Sequence, residues 1–218
     1  MIAFKFIIIA VISYLLGSLN FGVILSRGMK NEDVRDSGSG NAGTTNMMRT
    51  YGKTLGLLTI AGDILKVVLA IWLAFRIVSV EELKMTLDSA SEYPQVVLKS
   101  FAGLFAVLGH IFPCYFKFKG GKGVATSGGM VIAIDWRIAL ILLAIFALTI
   151  LITKYVSLGS ILMAIFYPTF IGIFYKDIIL VLIALVFTVI VVVAHRENVK
   201  RLINHTENKI GSKKEKKE

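Results

Sequence analysis

Cysteine is nearly absent: Cys114 is the single thiol in 218 residues. A lone thiol cannot close an internal disulfide, and it excludes any cysteine-based metal cluster. Charge is also scarce, at 17% of the chain against 56% hydrophobic residues, with a mean hydropathy of +0.77. A soluble globule is about a quarter charged. The apolar surplus here has no interior large enough to hold it, so the bilayer must take it. That excludes a soluble enzyme, a secreted disulfide scaffold and a disordered chain. Acids are the rarer charge, 14 against 24 Lys+Arg, for a net +10. No basic stripe with interleaved aromatics or reader motif accompanies the excess, so no nucleic-acid partner is expected. Catalytic signatures are missing too. There is no Gly-x-Ser-x-Gly elbow and no Gly-x4-Gly-Lys-[Ser/Thr] phosphate loop. A His-x4-Asp pair is also absent, since the residues five positions after His110, His195 and His205 are Tyr115, Lys200 and Ile210.

What is present is apolar length. Residues 2–26, 54–78 and 96–116 form three long runs, each enough at ~1.5 Å per residue to cross a ~30 Å hydrocarbon core. The first lacks the basic start, short core and cleavage site of a signal peptide, so it reads as an anchored helix. Breaks at Asp135-Trp136-Arg137, Lys154 and Lys176-Asp177 divide the rest into 123–134, 138–153, 156–175 and 178–194. The segment 123–134 is roughly 18 Å long as a helix, short for a span. Charge decides whether it counts. With seven spans, seventeen Lys/Arg fall on one side and six on the other, with Lys66 inside a span. Six spans would even the balance. Because Lys/Arg collect on the cytoplasmic side, the sequence predicts an all-α polytopic membrane protein with seven transmembrane helices, the fourth short. Its N-terminus is outside and its C-terminus cytoplasmic. Residues 1–210 read as one domain and 211–218 as a disordered basic tail.

Three polar segments share the cytoplasmic side. The first contains Gly38-Ser39-Gly40-Asn41-Ala42-Gly43-Thr44-Thr45-Asn46 and then Arg49. Its glycines can turn backbone amides toward a ligand. Ser39, Asn41, Thr45 and Asn46 add uncharged donors and Arg49 a bidentate cation, the groups that grip phosphate. The Gly-x-Gly-x-x-Gly spacing lacks the strand and βαβ context of a dinucleotide site. The second segment, from Gly109-His110 to Lys119-Gly120-Gly121-Lys122-Gly123, places glycines around a lysine at the mouth of the short helix, a ready anion site. The third begins at His195, with Asn198 three residues on and on the same face if the helix continues. Within the second span, Asp63 and Lys66 lie three apart and pair on one helix face. Ionisable groups there point to function by default. A transporter for a phosphorylated metabolite is the alternative, but it would need donor-rich segments on both faces or an inverted repeat. The outward segments are plain.

The motifs Gly-Ser-Gly-Asn-x-Gly-x-Thr-Asn-x-x-Arg, Gly-His-x-Phe-Pro with Lys-Phe-Lys-Gly-Gly-Lys-Gly-Val-Ala-Thr, and His-Arg-Glu-Asn-x-x-Arg-Leu occur here in that order. Together they resemble the bacterial acyl-phosphate:glycerol-3-phosphate acyltransferases, the PlsY family. The resemblance implies a seven-helix plasma (inner) membrane enzyme with a cytoplasmic active site. It would move a fatty acyl group from acyl phosphate to the 1-hydroxyl of sn-glycerol 3-phosphate, giving lysophosphatidic acid and phosphate. This is the first acylation of bacterial phospholipid biosynthesis. It calls for no cofactor and no metal, works amid membrane lipid and couples to an acyl-phosphate-producing enzyme. By matching position, Ser39, Arg49, Lys122, His195 and Asn198 form the catalytic set. Asn41, Thr45, Asn46, His110, Gly120, Gly121, Gly123, Ser160 and Glu207 bind the substrates. The first motif would hold acyl phosphate, and the second, through Lys122, glycerol 3-phosphate. Two departures stand out: Thr44 where alanine is commoner, and His205 where a glycine usually precedes Thr206-Glu207.

Overall fold

The computed structural model describes residues 2–87 and 90–210, so the tail at 211–218 lies outside the described residues. Every regular element among these residues is helical. In chain order they are α1 (Ile2–Gly17), α2 (Phe21–Lys30), α3 (Thr44–Tyr51), α4 (Lys53–Ile77), α5 (Val80–Leu87), α6 (Pro94–Ile111), α7 (Val124–Ile134), α8 (Trp136–Thr153), α9 (Val156–Tyr175), α10 (Ile178–Ala194) and α11 (Arg196–Ile203). By length and composition five runs can cross a membrane, or six if α10 and α11, bent by 61°, count as one; α7 is a shorter apolar helix.

Several helices are apolar all round. Leu140, Leu143 and Leu151 of α8, and Leu182, Val186 and Val189 of α10, are exposed. Lipid solvates such faces as well as a protein core would. Association therefore depends on close packing. At Gly17 an added Cβ would lie 2.0 Å from the Ala106 carbonyl oxygen, and at Gly109 2.1 Å from that of Tyr14. Small residues thus bring the backbones of α1 and α6 together. Helix α6 is the hub: it packs on α1, α4, α7 and α10, while α8, α9 and α10 form an outer row. Pro168 inside α9 cannot donate to the Ala164 carbonyl. The hydroxyl of Thr188 on α10 donates there instead, at 2.7 Å, so the carbonyl freed in an apolar setting is satisfied.

The connections bond among themselves in two groups. In one, Lys5 pairs with Glu82 at 2.6 Å, Ser91 donates to Asp177, and Tyr175 donates to Asp135 at 3.2 Å. In the other, Arg35 donates to the carbonyls of Phe116 and Lys119 at 3.0 and 2.8 Å. There too Lys122 donates to Asn198 at 2.5 Å, and the Ile210 amide donates to the Lys154 carbonyl at 2.9 Å. All three motif segments lie in the second group.

Two features depart from the sequence expectation. The first apolar run is broken at residues 18–20, where the Asn20 side chain accepts from Val23 N and starts α2. The first polar segment is no plain loop either, since a 3₁₀ turn (Val34–Asp36) and α3 fold within it.

Candidate active site

Asp33 organises the first segment. It accepts from the guanidiniums of Arg35 at 2.7 Å and Arg27 at 2.8 Å. These hydrogen bonds, Arg35's foremost, hold its carboxyl well below the usual carboxylate range. With Arg35 fixed in this way, its remaining donors reach the Phe116 and Lys119 carbonyls. The first and second motif segments are thereby tied together. Sequence reasoning missed Arg35, because nothing but its spacing from Asp33 separates it from other loop cations.

Asn46 is the keystone of this segment. It is buried, and its Nδ2 donates to the carbonyls of Val34, Ser37 and Asn41 while its Oδ1 accepts from Ser39 N at 2.8 Å. These bonds are all within the loop, so Asn46 positions it. Gly38, at φ +65°, wraps so closely that a Cβ would lie 2.2 Å from Asn46 Oδ1. Three backbone amides of the glycine run are bonded within the loop. Ser39 N is bonded to Asn46, Gly40 N to Ser37 O and Gly43 N to Asn41 Oδ1. What faces outward are side chains: Ser39, Thr45 and Arg49 are exposed. Thr45 and Arg49 lie four apart on α3, hence on one face.

The second segment rests on His110, which is 2% exposed. Gly121 N donates to the His110 carbonyl at 3.1 Å and Gly120 N to that of Ile111 at 3.2 Å. A Cβ at Gly120 would lie 2.0 Å from the His110 carbonyl oxygen, and one at Gly121 2.1 Å from the ring's Nε2. The glycines are therefore dictated by close approach to His110. That histidine lies beneath the turn, not in it. Gly120→Ala should force the turn off α6, costing about 1–3 kcal/mol as overpacking does. A fall of several degrees in the melting temperature checks this.

Gly123, at φ +80°, ends the turn and opens α7. Lys122 is half-buried beside it, donating to Asn198 Oδ1. Asn198 in turn donates to Glu207 Oε1 at 3.1 Å, and Arg201 donates to Glu207 Oε2 at 2.8 Å. Burial first, then the charge of Arg201, pulls the Lys122 ammonium down to about 8, against the attraction of Glu207. His195, 2% exposed at the bend between α10 and α11, has Nδ1 2.8 Å from the Val191 carbonyl. Only a ring N–H can face a carbonyl, so neutral His195 keeps its lone pair on Nε2. His205 adopts φ +55°, the left-handed region that glycine enters freely and histidine at a cost. Ser160 is buried in α9, its hydroxyl donating to Val156 O at 3.0 Å. The turn before α9 is where Ile210 bonds and where Lys209 Nζ lies 5.5 Å from the centroid of the Tyr155 ring.

Helices α3, α7, α9 and α11 begin at this end, none with a side-chain cap. At the other end α8 and α10 are capped by Asp135 and Asp177. Uncapped helix starts present free amides and a partial positive charge. Combined with Arg49, Lys122 and Arg201, they make this end suited to phosphate anions.

The whole chain has close relatives. The family described as glycerol-3-phosphate acyltransferase matches residues 7–205. The chain is 42% identical over 219 residues to a glycerol-3-phosphate acyltransferase of Clostridioides difficile (strain 630), covering 97% of this chain and 98% of that one. It is 40% identical over 203 residues to that of Bacillus subtilis (strain 168), covering 93% and 96%. The fold is similar to the crystal structure of PlsY, an integral membrane glycerol 3-phosphate acyltransferase, in its glycerol 3-phosphate form. There the TM-score is 0.81 at 33% identity, over 94% of this chain and 96% of that. The lysophosphatidic acid form gives 0.78 at 32%, over 94% and 95%. The helical bundle and these matches define a multi-pass integral membrane acyltransferase. The chain belongs to the glycerol-3-phosphate acyltransferase family.

Proposed function

We propose that this enzyme transfers a fatty acyl group from acyl phosphate to the 1-hydroxyl of sn-glycerol 3-phosphate, releasing lysophosphatidic acid and inorganic phosphate. It thereby catalyses the first acylation of bacterial phospholipid synthesis. Residues 1–210 act as one domain crossing the plasma membrane seven times, with the N-terminus outside and the site facing the cytoplasm. The two separately bonded groups of connections and the cationic motif end support that orientation. An enzyme that makes acyl phosphate supplies the donor.

The observation that carries the reading is the meeting of the three motifs: Lys122 on Asn198, beside a first segment that Arg35 clamps to the second. Two phosphate anions repel until cations and helix ends offset their charge. Ser39, Thr45 and Arg49 hold the acyl phosphate. Lys122, kept in place by Asn198 and Glu207, receives glycerol 3-phosphate. The carbonyl of a mixed anhydride is already activated, so no protein nucleophile is required. The glycerol oxygen attacks the acyl carbon, the carbon–oxygen bond to phosphate breaks, and phosphate leaves. The hydroxyl proton passes to His195 Nε2, the ring atom that carries a lone pair.

The direct test incubates the purified protein in lipid with glycerol 3-phosphate and a synthetic acyl phosphate. Release of phosphate together with lysophosphatidic acid is expected, and none with acyl-CoA as donor. Equal use of acyl-CoA would overturn the donor assignment.

A pH dependence follows from Lys122. A phosphate monoester takes its second negative charge near pH 6, and Lys122 is cationic only below about 8. The kcat/KM for glycerol 3-phosphate, which reports the free enzyme, should rise to a plateau and fall as pH passes 8. Arginine stays charged beyond pH ~12, so Lys122→Arg should abolish the upper fall. An unmoved upper limb would remove Lys122 from phosphate binding.

A further inference from the structure

One ionisable cluster lies outside the site just described. Asp63 and Lys66 on α4 and His110 on α6 are each at most 3% exposed. Lys66 Nζ pairs with Asp63 Oδ1 at 2.7 Å, lies 2.8 Å from His110 Nδ1 and donates to the Leu19 carbonyl at 2.9 Å, while His110 Nδ1 lies 3.4 Å from the same Asp63 oxygen. Burying three ionisable groups is costly even when they are paired, so a bundle needing only stability gains little from them over apolar packing.

What the cluster touches suggests its use. On one side it holds Leu19, in the break between α1 and α2. That break aims α2 at the first motif: a Cβ on Gly22 would lie 1.9 Å from the Ala42 carbonyl oxygen, and one on Gly62 of α4 would meet the Phe21 ring at 2.3 Å. On the other side it holds His110, whose carbonyl accepts from Gly121 and whose ring supports that residue. Lys122 is the next residue. A single ammonium thus joins the seats of both motif segments from beneath, as Arg35 ties the segments themselves.

We infer that Asp63, Lys66 and His110 are positioning residues that set the Gly120-Gly121-Lys122 turn against the first motif, and that their effect on catalysis passes through Lys122. This rests on the acyltransferase reading above.

The test measures kcat, KM for glycerol 3-phosphate and melting temperature of the full-length protein in lipid, with synthetic acyl phosphate as donor. Asp63→Asn with Lys66→Met removes the ammonium without stranding a charge, and His110→Gln removes the ring while keeping the ion pair. Each variant should raise that KM about tenfold or more, with kcat changed less. In a Lys122→Ala background the same changes should raise it less than about twofold further, the non-additivity of residues acting through one group. Full additivity in that background would overturn the inference. So would a lowered melting temperature with KM unmoved, or loss of the fold in both variants, since either makes the cluster structural alone. Should one variant fail to fold, the other decides. An unaltered protein that forms no lysophosphatidic acid from these substrates would instead count against the acyltransferase reading.

Discussion

Replacing Lys122 by alanine should raise the KM for glycerol 3-phosphate by roughly 30- to 5000-fold. This range corresponds to the about 2–5 kcal/mol lost when one partner of a buried, hydrogen-bonded charge pair is truncated. The large effect follows from where the ammonium is. It is half-buried, so its interaction with a phosphate is poorly screened by water. It is also held to one position by Asn198, which Glu207 steadies in turn. Because Arg49 belongs to the other segment, the KM for acyl phosphate should stay near its original value. Steady-state kinetics with each substrate varied separately checks both statements. An unchanged KM for glycerol 3-phosphate would remove the second motif from acceptor binding.

The second large effect belongs to His195. Removing a positioned general base costs about 10²–10⁴-fold in rate, so His195→Ala should lower kcat by that factor and leave both KM values nearly intact. The expectation comes from the tautomer. Its Nδ1 is committed to the Val191 carbonyl, which leaves Nε2 as the ring's acceptor, on the residue from which the helix carrying Asn198 starts. The leaving phosphate is the rival acceptor, since it gains negative charge as the carbon–oxygen bond breaks. A kcat loss below about tenfold would assign the proton to that phosphate and make His195 a packing residue at the α10–α11 bend.

The bounds of the long helices were legible in the sequence because transfer energy is a sum over composition. The runs expected at 156–175 and 178–194 coincide with α9 (Val156–Tyr175) and α10 (Ile178–Ala194). That same sum says nothing of backbone continuity, so the break at residues 18–20 escaped notice. Its one local sign was Asn20 ahead of Phe21, a helix cap within an apolar run. The motif segments were visible as clusters of glycine, hydroxyl and cation. Which member faces outward was not, because that depends on three-dimensional bonding partners. Asn46 and His110 carry the same donors as Asn41 and His195, yet the fold spends them internally, on the first loop's own carbonyls and on Lys66. The glycines at 120 and 121 read as an anion cradle. In the fold both also lie where a Cβ would crowd His110, a reason that no spacing rule contains. Asp63 and Lys66 were readable as a pair from their separation of three, but their link to Leu19 crosses from one helix to another and left no trace in the sequence.

The proposed transfer requires both phosphate-binding segments to open at one membrane face. In a Cys114→Ser background, single cysteines introduced by Asp36→Cys, Lys117→Cys and Lys84→Cys would sit at exposed positions in the first segment, the second segment and the opposite end. A membrane-impermeant thiol reagent applied to sealed inside-out vesicles, which expose the cytoplasmic face, should label the first two and spare the third until the membrane is opened. Labelling of Asp36→Cys and Lys117→Cys from different sides would place the two phosphates across the bilayer from each other and contradict the mechanism.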